Sequence, residues 1–271
     1  MKTQKRIVTV QDISCLGQCS ITVALPILSA CGVETAIVPS AVLSTHTGNW
    51  KSFTFRDLTE DMSAILDHWN SYGEKFDAIY TGYIGSVRQF PIIDEMKKTL
   101  LCDGAPVIID PAMADNGKLY TGFDAEYVEG MKKFVCGADY LLPNITEASL
   151  ITGMEYKQTY DKEYIETLVF KLTEMGIKNV VITGVSFKED EIGVCVYDGS
   201  FRYHFENKLP FSSHGTGDIY ASVFTGALVN GAEKLDAAIK AARFTRNAML
   251  NTPKEHAYGV NFESLLHTLS N

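Results

Sequence analysis

Residues 214–231 read HGTGDIYASVFTGALVNG. The glycines let the backbone turn tightly and present successive N–H groups, and the small-residue apolar run behind them predicts a buried helix. A helix N-terminus carries partial positive charge, so loop and helix together form a hole suited to an anion. Asp218 stands at the helix start beside that hole. Taken by itself the run also reads as a loop with an acidic N-cap, since aspartate is a favoured capping residue.

Upstream of it, short β-branched apolar segments alternate with longer amphipathic ones, the pattern of repeated βαβ units on a parallel sheet. Buried strands are predicted over 7–10, 35–39, 77–81, 107–110, 140–142 and 180–183. Helices are predicted over 18–30, 58–72, 87–101, 125–136, 145–153, 162–175, 216–230 and 232–250, the first distorted by Pro26. From Glu191 to Glu206 the texture changes to alternation around Asp198-Gly199, which predicts an antiparallel edge hairpin. No linker, repeat or low-complexity tract divides the chain, so the expectation is one domain over residues 1–271. Its fold class is α/β, a three-layer α/β/α arrangement with a mainly parallel central sheet. In such a sheet, ligands bind where loops leave the carboxyl ends of the strands.

Composition narrows the function. A 271-residue chain with 46% hydrophobic and 21% charged residues can bury a large core, and a net charge of -9 without a basic block excludes a nucleic-acid partner. Apolar runs stay shorter than the roughly 18 residues a membrane helix needs, so no membrane partner is expected. The basic start MKTQKR followed by LSAC at Cys31 imitates a lipoprotein signal, but Gln11, Asp12 and Gln18 interrupt its apolar stretch. Six cysteines with no CxxC and no zinc spacing read as reduced, and the expected location is cytoplasmic.

Four further runs each follow a predicted strand: TGYIGS at 81–86, IDPAMAD at 109–115, LPNITE at 142–147 and VITG at 181–184. A Walker A loop is absent, and the first turn reads QDISCLGQCS rather than GxGxxG, which disfavours P-loop kinases and dinucleotide-binding dehydrogenases. The five runs, taken in order over nearly the whole chain, resemble the ribokinase superfamily, whose GTGD run is an anion hole with the aspartate as base.

Within that superfamily the chain is most similar to the vitamin B6 kinases, which act on pyridoxal, pyridoxine and pyridoxamine. The run LSTHTGNW at 43–50 resembles their ring-binding loop, and the first turn resembles their opening rather than the GSDPSGGAG of hydroxymethylpyrimidine (phosphate) kinases. Those thiamine-pathway kinases, which commonly carry cysteine where this chain has Asp218, are the alternative. A vitamer-binding protein without turnover would be marked by loss of the base, and the base is present.

The resemblance implies ATP-dependent phosphorylation of a 5′-hydroxymethyl group, with ATP and Mg²⁺ as cofactors and a monovalent cation left open. Asp218 would be the base, and the N–H groups of Gly215, Thr216 and Gly217 would hold the transferring phosphoryl group. Asp12, His46, Thr47 and Tyr83 would bind the acceptor ring, although a loop histidine and an aromatic filler are the plain readings of His46 and Tyr83. Asp110 and Glu147 would hold Mg²⁺. With Asn144, Asp115, Tyr120, Thr183 and Gly184 they would make the ATP side, although Asn144 and Glu147 also fit a capping box and Thr183-Gly184 a simple turn. The segment 112–123 would be a lid. A homodimer is implied, and its patch would include Ile21, Leu25 and Leu28, for each of which core packing is the other reading.

Overall fold

A computed structural model describes residues 4–48, 50–256 and 258–270. Asn49 of the LSTHTGNW run therefore lies outside the described residues. All six predicted parallel strands form: β1 (Arg6–Ser14), β2 (Glu34–Leu43), β4 (Ala78–Thr81), β5 (Val107–Ile109), β8 (Tyr140–Leu141) and β9 (Asn179–Val185). The expected hairpin, β10 (Glu191–Tyr197) and β11 (Phe201–Asn207), adds antiparallel to β9. A short strand that the sequence reading did not anticipate, β3 (Phe55–Asp57), closes the other edge antiparallel to β2, giving the order β11-β10-β9-β8-β5-β4-β1-β2-β3. Three exposed residues carry no alternation to read, which is why β3 escaped the pattern.

Two helical layers cover the sheet, as the apolar content of both strand faces demands. One core cluster packs under α2 (Thr59–Ser71), α3 (Phe90–Thr99), α4 (Ala125–Phe134), α5 (Ile145–Thr152) and α6 (Lys162–Glu174). The other packs under α1 (Ile21–Ala30), α7 (Thr216–Val229) and α8 (Lys234–Asn251). α1 runs through Pro26, which leaves Thr22 O without an intrahelical donor. Ile21 and Leu28 of that helix are buried in the core, so of the three residues expected in a self-association patch only Leu25, half-buried, keeps part of its surface.

Strand order positions the site. From β1 the chain steps one way to β2 and then returns to place β4 on the other side of β1, so the loops leaving β1 and β4 diverge and open a crevice. At the carboxyl end of β1 two residues of β2, Ser40 and Ala41, stand opposite the single Asp12, an irregularity of the kind that re-aims side chains. Across the crevice α7 points its N-terminus at the same end of the sheet. The segment expected to be a lid folds as a small hairpin, β6 (Ala114–Asp115) and β7 (Lys118–Leu119), turned by Asn116 and Gly117, both with positive φ. Asn-Gly is the preferred pair for such a turn, so this element was readable and was missed.

Candidate active site

α7 begins at Thr216, with Gly215 in the left-handed conformation as its N-cap and no side chain capping it. The first-turn N–H groups are thus left for a ligand, which is what an anion hole requires. Gly215 cannot be another residue here: its φ is +79°, and a Cβ would lie 2.0 Å from the carbonyl oxygen of Gln18. Gln18 is itself anchored, since its N–H donates to Tyr258 O at 2.7 Å and its side chain reaches His256 and Glu263. Gly217 is exposed, and no atom lies within 4 Å of where a Cβ would stand.

Asp218 accepts a hydrogen bond from the main-chain N–H of Ser20, so two helix N-termini, those of α1 and α7, converge on it. The residue keeps some exposure, but its carboxyl lies deep among protein atoms. Burial first, and the Asp110 and Asp12 carboxylates after it, push its pKa up to about 8. A carboxyl tuned near neutrality in a crevice is suited to accepting a proton.

Asp110 and Glu147 form a second pair. Burial and the neighbouring Glu147 carboxylate hold Asp110 well above the ordinary carboxylate range, with one N–H, that of Ala112, donating to its Oδ1 at 3.1 Å. Burial pushes Glu147 up to about 7 even though it accepts three main-chain N–H groups, from Met113, Ala114 and Asn144. Asn144 Oδ1 in turn accepts from Glu147 N at 3.0 Å, so the capping box expected as the plain reading is realised. The same residues pin the hairpin, because Asn144 Nδ2 donates to Ala114 O and Thr146 Oγ1 accepts from Gly117 N. A hard divalent cation fits this pair, since two buried carboxylates that raise each other's proton affinity are relieved by positive charge between them. Glu147, with three N–H groups already on its oxygens, is placed to meet such an ion through water.

The remaining expected residues divide. Tyr120 sits in the field of Glu147, Asp115, Asp110 and Asp218, which with burial holds its phenol far above its usual value. Asp115 is exposed, and both its oxygens accept from Asn116, so its carboxylate is spent on the hairpin turn in this conformation. Thr183 ends its ladder against Asn144, while Gly184 O accepts from the Tyr160 hydroxyl at 3.3 Å. Asp12 is 3% exposed and raised by burial, with the Ser14 hydroxyl donating to it at 2.8 Å. It lies close enough to Asp218 and Tyr83 to act electrostatically on both.

His46 is buried, and its ring lies 5.4 Å from that of His214, which brings the 43–50 loop against the GTGD loop. Gly48 N donates to its Nδ1 at 3.1 Å, which leaves the ring proton on Nε2 beside Trp50 Nε1, 3.4 Å away, and burial first, with His214 after it, lowers the ring's pKa. Thr47, half-buried, follows it. Tyr83 stacks on Phe123 of the hairpin segment at 5.1 Å, and Phe123 stacks on Tyr127 at 3.8 Å. Ser20 and Gln18 were given no site role by the sequence reading, since they act through main-chain atoms, which leave no motif; His214 stood in the GTGD run and Phe123 at the end of the expected lid, but their ring contacts to His46 and Tyr83 come from packing.

The chain is similar along most of its length to known proteins. A Bacteroides thetaiotaomicron protein named as a phosphomethylpyrimidine kinase, solved in a crystal form with pyridoxal, superposes with a TM-score of 0.92 at 36% identity, covering 98% of this chain and 96% of that one. The pyridoxal kinase of Lactobacillus plantarum gives 0.90 at 31% identity, covering 98% and 97%. The pyridoxal kinase of Dictyostelium discoideum is 28% identical over 242 residues, 82% of this chain and 78% of its own length. Among the described residues no helix is long and apolar enough to cross a membrane. The phosphomethylpyrimidine kinase family matches residues 25–261, a span that includes Asp218, Asp110, Glu147, His46 and Tyr83 but not Asp12, and the chain belongs to that family of ribokinase-like kinases.

Proposed function

We propose that this kinase transfers the γ-phosphoryl group of ATP to the 5′-hydroxymethyl group of a vitamin B6 vitamer. The observation that carries the reading is Asp218, a buried carboxyl of raised pKa at the uncapped N-terminus of α7. Asp218 takes the proton of the acceptor hydroxyl as its oxygen attacks the γ-phosphorus. The bond from that phosphorus to the β,γ-bridging oxygen breaks, and ADP leaves. The N–H groups of Gly215, Thr216 and Gly217 face the charge that develops on the equatorial oxygens. Asp110 and Glu147 would hold Mg²⁺, which would supply positive charge to the phosphates. Asn144, Thr183 and Gly184 border the triphosphate. The pinned hairpin, with Asp115 and Tyr120, shields the transfer from water.

Asp12, His46, Thr47 and Tyr83 would receive the pyridine ring; the relatives named for pyridoxal support a B6 vitamer, and the family model named for phosphomethylpyrimidine keeps the hydroxymethylpyrimidine reading as the alternative. A coupled ADP-release assay with pyridoxal, pyridoxine, pyridoxamine and hydroxymethylpyrimidine tests this. Turnover of at least one B6 vitamer is expected, and turnover of the pyrimidine alone would replace this reading with the thiamine-pathway one. We place the enzyme in the cytoplasm and, from its resemblance to the B6 kinases, as a homodimer. The exposed Phe55 of β3 and the stacked Trp50–Tyr258 pair are among the apolar side chains at the surface. A monomer by light scattering at micromolar concentration would remove the dimer.

In this reading Asp12 shares a proton with the ring nitrogen. As a carboxylate it accepts from a pyridinium N–H. Because burial raises its pKa, it can also keep the proton and donate to the neutral ring. Asp12→Asn retains the shape and loses the exchangeable charge. The expected result is a KM for B6 vitamers at least about tenfold higher, from losing a charge-assisted hydrogen bond, with KM for ATP unchanged. An analogue with carbon in place of the ring nitrogen should be less affected, and equal losses on both substrates would make Asp12 a support of the fold.

A further inference from the structure

Tyr83 sits on a stretch of main chain that no strand or helix supports. Residues 82–86 follow β4 outside its ladder, yet Gly82, Tyr83 and Ile84 are buried. A buried loop has to find partners for its N–H and C=O groups away from regular structure. Here three side chains supply them. The Ser40 hydroxyl, from β2, donates to Tyr83 O at 2.9 Å, and the Tyr127 hydroxyl, from α4, donates to Ile84 O at 2.7 Å. Gly85 N donates to Gln89 Oε1 at 3.0 Å.

Each of the three is itself fixed. Ser40 and Gln89 are both 0% exposed. Gln89 Nε2 donates to Ser40 O at 2.8 Å and also faces Thr59 Oγ1 and Asp57 Oδ1, at 3.2 and 3.3 Å, so the amide can point only one way. Ser40 stands opposite Asp12 in the irregular stretch of β1 and β2, so it adjoins the strand of one proposed ring contact and the loop of another. The Tyr127 ring stacks on Phe123, the residue on which Tyr83 stacks. Tyr127 thus holds the loop by its hydroxyl and the Tyr83–Phe123 stack by its face. The chemistry proposed above gives none of the three a part.

We infer that Ser40, Gln89 and Tyr127 are positioning residues that set the Tyr83 ring for the acceptor and so govern acceptor affinity rather than phosphoryl transfer. The inference rests on the B6 reading, with Tyr83 in the ring wall. When one of the bonds is lost, the loop gains other positions, and apparent affinity falls with the fraction of molecules that keep Tyr83 in place. Ser40→Ala, Gln89→Met and Tyr127→Phe each remove one bond at little change in volume. Each is expected to raise the KM for pyridoxal by roughly three- to tenfold, the worth of one hydrogen bond, with kcat and the KM for ATP within about twofold. In a Tyr83→Ala background, where the ring is gone, the loss from Ser40→Ala should vanish. Asn230→Ala is the control for stability alone. It removes an amide that bonds Cys31 O at 2.8 Å at the far end of α7, and should lower Tm by about 2–4 °C without moving either KM. If Ser40→Ala does not fold, Tyr127→Phe carries the same comparison. An unchanged KM for pyridoxal in the variants, a KM for ATP that rises alongside it, or an equal loss with and without the Tyr83 ring overturns the inference while leaving the kinase reading in place. An unchanged KM in Tyr83→Ala alone takes Tyr83 out of the wall and the inference with it. Failure of the unaltered enzyme to turn over any B6 vitamer overturns the function on which both rest.

Discussion

Asp218→Asn is expected to lower kcat by roughly 10²- to 10⁴-fold, the range for losing a positioned general base, with the Kd for ATP nearly unchanged. Asparagine keeps the side-chain size, and its Oδ1 can still accept from the Ser20 N–H, so the loop should stay where it is. What disappears is the acceptor of the substrate proton. The pH dependence offers a second reading with a definite sign. The active form of Asp218 is ionised, and its pKa is raised to about 8 in the ligand-free chain, so wild-type kcat should fall as pH drops through the base's pKa. Cation binding beside Asp110 lowers the midpoint, since positive charge favours the carboxylate. In the asparagine variant that limb should be absent. Steady-state kinetics across pH with ATP binding by calorimetry decides the matter, and a kcat loss below tenfold would sink the assignment.

Gly215→Ala should be nearly as damaging, through the main chain. An alanine there must hold a φ of +79°, which costs about 1–2 kcal/mol, and its Cβ would stand 2.0 Å from the Gln18 carbonyl oxygen. Gln18 cannot yield cheaply, because its N–H, amide oxygen and amide nitrogen are bound by Tyr258, His256 and Glu263. The start of α7 must therefore move, and displacing the three N–H groups by about 1 Å costs on the order of 10²-fold in rate. We expect kcat to fall by roughly 10²-fold with a Tm lower by about 2–4 °C. Gly231→Ala isolates the strain, for φ there is +92° but no atom lies within 4 Å of the added methyl. It should lose comparable Tm and keep its activity. If both variants lose kcat alike, strain rather than displacement is responsible.

The sequence shows the parallel strands plainly, because strands buried on both faces must be continuous apolar runs and the helices between them must be one-sided. It also shows the acidic residues at the strand ends, since carboxylates at such positions have few structural reasons to be there. Geometry carried by the main chain was hidden. Nothing in QDISCLGQCS announces that Gln18 will present its carbonyl to Gly215 or that Ser20 will donate to Asp218. Polar side chains that hold a loop were equally silent: Ser40 reads as a strand end and Gln89 as a helix start, and only the fold brings them together. Ile21 and Leu28 erred the other way, since an apolar helix face looks the same in sequence whether a core or a partner covers it.

Glu147 anchors the hairpin through Met113 and Ala114 and caps α5 through Asn144, whatever it does for a cation. A descendant of this fold that ceased to catalyse would still need that glutamate to keep its architecture, because removing it strands three buried donors at once. The N-x-x-E run is therefore a poor genomic marker of living enzymes, and a pseudokinase could carry it intact. Asp218 has no comparable second duty, so in related sequences the letter at that position is the better guide to which copies still turn over.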